Sequence, residues 1–177
     1  MQRFAVSVAI VLGSVVASAR QTPGAYWWKL PDQLKYVFPP AASFSAREGN
    51  PPHFKAFGPA LDTSARVLRG FVFWTTELEP LERGYDGPIK MLIGMDVTGR
   101  LTRVLVVDHH EPYGNFSVDT PEFAAQFEGK SIRDAFRVGT DVDAVSRATI
   151  SVTSAARVIK NSARRIAKQF LAPEDLK

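Results

Sequence analysis

The stretch IKMLIGMDVTGRLTRVLVV, residues 89–107, decides the fold. Its two flanks, 89–95 and 101–107, are rich in branched aliphatic residues, the composition of strands that pack on a pleated surface. Between them, Asp96 and Gly99 suit the tight loop of a hairpin, so the two strands are expected to run antiparallel. Upstream, VLRGFVFWT (67–75) has the same character. HFKAF (53–57) reads as a short extended segment between turn signals at Gly49-Asn50-Pro51-Pro52 and Gly58-Pro59.

Helical periodicity comes later in the chain. Thr120 and Pro121 open a short amphipathic piece that reaches Gly129, with proline in a favourable first-turn position. Val152, Ala155, Ile159, Ala163, Ile166 and Phe170 fall on one face of a C-terminal helix, and Arg157, Lys160, Arg164 and Lys168 fall on another. That basic face reads as a solvated surface first and as a dock for an acidic partner second. YWWKLPDQLKYVF (26–38) suggests one or two helical turns interrupted by Pro31, with its aromatics packing. Strands followed by helices predict an α+β fold: a mainly antiparallel sheet packed with helices, including a long C-terminal amphipathic helix.

Composition bounds the chemistry. The 177 residues, 45% hydrophobic and 23% charged, suit one domain with a real core. No cysteine is present, which excludes disulfides, thiolate metal sites and cysteine nucleophiles together, so redox chemistry needs a bound cofactor. Residues 1–19 have a basic start at Arg3, an apolar run too short to span a bilayer, and a small-residue site at Ala17-Ser18-Ala19, the pattern of a cleaved export leader. The mature protein is expected to be soluble and periplasmic or otherwise extracytoplasmic. Residues 20–33 read as a linker or N-terminal extension, 34–171 as the domain and 172–177 as a tail. The net charge is +4; without the leader's single Arg3, 21 basic residues face 18 acidic ones, too mild a balance to imply nucleic acid.

Several chemistries are tested by spacing. FEGKS (127–131) imitates the end of a phosphate-binding loop, but Ala124 stands where that loop needs glycine. Neither the nucleophile elbow of hydrolases nor the glycine fingerprint of dinucleotide folds occurs. His109 and His110 are adjacent, and adjacent strand residues point to opposite faces, so the pair reads as a strand end with one exposed imidazole and no metal site.

DAVSRATIS (143–151) crowds Ser146, Thr149 and Ser151 just before the helical pattern. One hydroxyl among Thr149, Ser151 and Thr153 is expected to cap the helix, contributing about 1 kcal/mol. The surplus is also what a phosphate site at a helix N-terminus requires: free N–H donors, hydroxyl donors and a favourable dipole. The residues alone leave both readings open.

Two stretches carry a resemblance. Asp143-Ala144-Val145-Ser146-Arg147-Ala148-Thr149 is similar to the attachment motif of the FMN-binding domain family: Asp, two residues, Ser or Thr, Gly, Ala, Thr. Residues 83–112 resemble the same family's Gly-Tyr-x-Gly-Pro-Ile, hairpin and His-x-Glu segment. The family includes periplasmic parts of the sodium-pumping NADH:quinone oxidoreductase, of the Rnf complex and of the nitrous-oxide-respiration regulator.

The resemblance implies FMN esterified through its phosphate to Thr149 by a separate FAD-dependent flavin transferase. Asp143, Ser146, Arg147, Ala148 and Ile150 would lie around the attachment point, and Gly84, Tyr85, Gly87 and Pro88 against the flavin. It implies an electron-transfer carrier with redox protein partners, among them membrane quinone-linked complexes. An FMN-binding sensory or structural domain and a small flavin reductase are the alternatives, the reductase drawing on Tyr85, His110 or Glu111. The departure is Arg147, where the family has glycine: the side chain either hinders the transferase or sets a cation beside the phosphodiester.

Overall fold

A five-stranded antiparallel sheet runs in simple sequence order: β1 (Ser43–Phe44), β2 (Phe54–Pro59), β3 (Arg66–Trp74), β4 (Lys90–Asp96) and β5 (Leu101–Asp108). The computed structural model describes residues 28–59 and 66–172; the expected leader, residues 20–27 of the extension and residues 173–177 of the tail lie outside them. Four α-helices accompany the sheet among the described residues: α1 (Leu30–Val37), α2 (Thr75–Leu78), α3 (Pro121–Ala125) and α4 (Thr149–Phe170). The class is α+β, with the long C-terminal helix as expected.

The helices cover both faces of the sheet. Met91, Ile93 and Met95 of β4 join Val152, Ala155, Ile159, Ala163 and Ile166 of α4 in the larger core, while Leu92 joins Leu34 and Val37 of α1 in the smaller one. The split follows the two-residue alternation of strand side chains. A strand buried on both sides must be apolar throughout, which is why β4 reads as an unbroken hydrophobic run. Gly94 faces α1: a Cβ there would strike the Val37 carbonyl, so glycine lets the helix end rest on the sheet.

Local chemistry sets the connections. Asp96 accepts from the N–H groups of Thr98 at 2.8 Å and Arg100 at 3.0 Å, and Gly99 takes φ +78°, closing the β4–β5 hairpin. Thr120 caps α3 by accepting from Phe123 N–H at 3.2 Å, with Pro121 in its first turn. Pro31 occupies the first turn of α1, where its missing N–H is no loss. It opens that helix instead of interrupting it, which corrects the expectation from sequence.

The basic face of α4 is largely engaged within the fold. Arg157 pairs with Glu82 at 3.0 Å, Lys160 donates to Ala135 O at 3.3 Å, and Arg164 donates to Ile132 O at 2.7 Å. Lys160 and Arg164 thereby fasten the irregular segment 126–148 to the helix. Asp141 folds that segment on itself by accepting from the N–H groups of Phe136 and Arg137 and pairing with Lys130. The segment delivers the chain to the start of α4.

Candidate functional site

Three loops converge at one edge of the sheet. Lys90 opens β4 opposite Asp108, the last residue of β5, so the loop at 84–88 and the turn after β5 are neighbours. The N-terminus of α4 meets them, and Glu111 ties all three together. Its carboxylate, only 6% exposed, accepts from Tyr85 N–H at 2.9 Å and Asp86 N–H at 3.1 Å, and takes a third hydrogen bond from the Ser151 hydroxyl. Gly84 must be glycine for this contact, because a Cβ would occupy the place of the Glu111 carboxylate.

Burial pushes the Glu111 carboxyl up, but the Ser151 hydroxyl and the Tyr85 and Asp86 N–H groups outweigh it and hold the group below the usual carboxylate range. A depressed value means the charged form is favoured by folding. Its stabilisation is present above the ordinary carboxylate pKa and is lost as pH falls through the lowered folded value. Glu111→Gln is therefore expected to flatten the acid limb of the unfolding profile while leaving the alkaline limb alone. Thermal melts from pH 7 down to pH 3 check this; parallel acid limbs for both proteins would refute it.

Glu111 is oriented in turn by its neighbours. Its N–H donates to His109 Nδ1 at 2.9 Å, which places the His109 proton on Nε2, facing Asp119 Oδ1 at 2.8 Å. His110 is exposed, giving the strand end its one exposed imidazole.

The convergence leaves a pocket of about 310 Å³. Tyr85 lines it from the first loop, Pro112 and Tyr113 from the turn after β5, and Arg147, Ala148, Thr149, Ile150 and Ser151 from the head of α4. Tyr85, Ile150 and Tyr113 remain 68%, 58% and 47% exposed, so the pocket opens broadly to solvent between aromatic and aliphatic side chains. At its back, Val152 N–H is the first in α4 to bond within the helix, to Ala148 O at 3.0 Å. The N–H groups of Thr149, Ile150 and Ser151 have no intrahelical acceptor, which leaves donors and the positive end of the helix dipole at the pocket.

The hydroxyl cap expected there is not formed. Ala148 holds the N-cap position with no side-chain hydrogen bond. Ser151 donates to the buried Glu111 carboxylate, a stronger acceptor than any the first turn offers. The Thr149 hydroxyl has no hydrogen-bond partner among the described residues, and Thr149 is exposed. Ahead of it, Ala148 N–H bonds Val145 O at 3.1 Å, closing a turn whose third residue, Arg147, has φ +67°. That is the position where a type II turn takes glycine, which gives a backbone reason for glycine at this point of the motif.

Of the residues singled out from sequence, Tyr85, Arg147, Ala148, Thr149 and Ile150 share the pocket. Gly84, Gly87 and Pro88 are not in its lining; Gly84 N–H bonds Gly87 O at 2.6 Å and so shapes the loop that presents Tyr85. Ser146 is exposed in the turn, and Asp143 lies before it with its N–H on Gln126 Oε1 at 2.6 Å. Tyr113 and the Glu111–Ser151 bond were not foreseen. Tyr113 sits in the stretch after the histidines, but nothing local marks it as a pocket wall.

Residues 84–164 match the family described as the FMN-binding domain, an interval that holds the 84–88 loop, Glu111, the turn at Arg147 and most of α4. No curated protein matches the chain. The domain indicates FMN as the cofactor, and the residues present fit it. Free helix N–H groups, an unbonded threonine hydroxyl and an arginine suit a phosphate, and the exposed Tyr85 and Tyr113 rings suit a flat ring system.

Proposed function

We propose, from the match of residues 84–164 to the FMN-binding domain family, that the protein is an exported flavoprotein that carries FMN as a phosphoester on Thr149 and passes electrons between protein partners. The observation that carries the reading is the exposed, unbonded Thr149 hydroxyl at the head of α4, inside the pocket and inside the matched domain. FMN supplies the redox chemistry when bound. The chain's residues supply position: α4 presents the Thr149 oxygen, and Glu111 holds Tyr85 and the helix in register.

Among the described residues no general base hydrogen-bonds the Thr149 hydroxyl, so the chain does not activate its own nucleophile. A separate transferase using FAD fits this arrangement. The Thr149 oxygen bonds to the flavin-side phosphorus of FAD, the pyrophosphate bond breaks, AMP leaves, and the threonine proton passes to the transferase. Export favours a covalent link, since a reversibly held cofactor dissociates by mass action where free FMN is scarce.

The pocket also favours a carrier over a stand-alone reductase. At about 310 Å³ it stands near the lower bound of ordinary ligand sites, roughly 300–1,000 Å³, which gives little room for a substrate beside a flavin. The exposed Tyr85, Tyr113 and Ile150 leave that flavin open to a docking partner. The acid–base candidates fit a reductase poorly: Glu111 is fully engaged, and His110 is not in the pocket lining.

Intact mass of the exported protein, co-produced with a flavin transferase, tests the proposal. The expected result is a gain of one FMN less one water, with fluorescence that survives denaturing electrophoresis. A mass that never changes, under conditions where a control acceptor loads fully, rules out the covalent link.

A further inference from the structure

We infer that Arg147 is a phosphate-holding residue of this site, through which the chain binds a phosphorylated flavin before, and independently of, any bond to Thr149. The inference rests on the flavin reading above. Among the described residues, Arg147 is the only charged one in the pocket lining. Glu111, the acid bonded to Ser151 of the lining, is already occupied by the N–H groups of Tyr85 and Asp86 and by the Ser151 hydroxyl. With the free N–H groups of α4 behind it, the pocket selects an anion.

Arg147 differs from the cations that fasten α4 and the segment before it. Arg157 pairs with Glu82; Lys160, Arg164 and Arg165 donate to the carbonyls of Ala135, Ile132 and Leu78; Lys130 pairs with Asp141. Arg147 has no acceptor among the described residues, and its N–H donors are free to engage an incoming group. Its backbone adopts φ +67°, a conformation glycine takes without strain and other residues rarely take. Structural need alone favours glycine there, so the guanidinium offsets a backbone cost, and the pocket is where its forked donors have something to meet. A phosphate ester matches them, because guanidinium–phosphate pairs form two parallel charge-assisted hydrogen bonds.

The test separates the ionic hold from the covalent one. In Thr149→Ala protein, which has no oxygen to esterify, FMN and riboflavin are titrated by quenching of flavin fluorescence. FMN is expected to bind at least about tenfold more tightly than riboflavin, the usual contrast for a charge-assisted hydrogen bond made or missing. Adding Arg147→Gly should remove most of that preference, leaving the smaller part that the helix N–H groups supply, Arg147→Lys should keep more of it, and raising the salt concentration should shrink it. Arg147→Gly relieves the positive φ, so it should fold at least as well as its parent, and its melting temperature checks this.

Equal binding of FMN and riboflavin, or a preference that Arg147→Gly leaves undiminished, overturns the role of Arg147 and leaves the flavin reading standing. Failure of both flavins to bind overturns Arg147 as a phosphate holder too; if wild-type protein also gains no FMN mass from the transferase, the flavin reading falls with it.

Discussion

Thr149→Ala protein, exported alongside a flavin transferase, is expected to contain no covalent flavin: the mass of one FMN and the in-gel fluorescence should both disappear. The whole effect lies in chemistry and almost none in stability. The Thr149 hydroxyl bonds nothing among the described residues, and Ala148 rather than a hydroxyl holds the N-cap. Removing an exposed, unbonded hydroxyl therefore costs no more than about 0.5 kcal/mol, the range of ordinary surface substitutions. A fully folded protein with no bound flavin mass is the expected combination. Ser146→Ala should load normally, since Ser146 lies in the turn outside the pocket lining. If Thr149→Ala still gains one FMN, attachment lies elsewhere and the assignment of Thr149 fails.

Glu111→Ala is expected to give the largest loss of stability in the site. The buried carboxylate satisfies three donors from two segments, and alanine leaves the Tyr85 and Asp86 N–H groups and the Ser151 hydroxyl without it. A buried donor left unsatisfied costs about 1–3 kcal/mol. Two of these donors lie on a loop near solvent and recover part of that from water, so the net cost is about 2–4 kcal/mol. For a chain of this size, about 2–4 °C of melting temperature is lost per kcal/mol, so the melt should fall by roughly 5–15 °C.

The loop is expected to loosen as well. Tyr85 is held at the pocket by a backbone bond to Glu111, so FMN affinity measured in the Thr149→Ala background should drop together with stability. Ser151→Ala removes one of the three donors along with its hydroxyl, so no polar group is stranded on the helix side and the cost should be smaller. A Glu111→Ala melt within 2 °C of wild type, with flavin affinity unchanged, would show that the carboxylate does not hold the site together.

Much of this molecule is legible in its sequence because the deciding interactions are local. The β4–β5 hairpin follows from two branched aliphatic runs and an Asp96–Gly99 turn whose hydrogen bonds stay within five residues. The apolar stripe of α4 follows from helical spacing, and Val152, Ala155, Ile159, Ala163 and Ile166 are all buried. The stretch that resembles an attachment motif is legible for the same reason, being seven consecutive residues, and five of the ten singled-out site residues line one pocket.

The tertiary structure decided what depends on partners far apart in the chain. Ser151 looks like a cap from its own neighbours; it becomes a donor to Glu111, 40 residues away, because the sheet edge brings a buried carboxylate within its reach. The basic face of α4 looks solvated, yet Arg157 and Arg164 find acceptors at Glu82 and Ile132, supplied by segments whose path the helix does not encode. The sequence shows an arginine where a motif has glycine and cannot say what glycine was for. Only the folded turn shows a positive φ at that residue and an arginine in the pocket lining beside Thr149. Short-range hydrogen bonds and periodic burial are properties of a segment; the fate of a side chain's donors is a property of whatever the fold places opposite them.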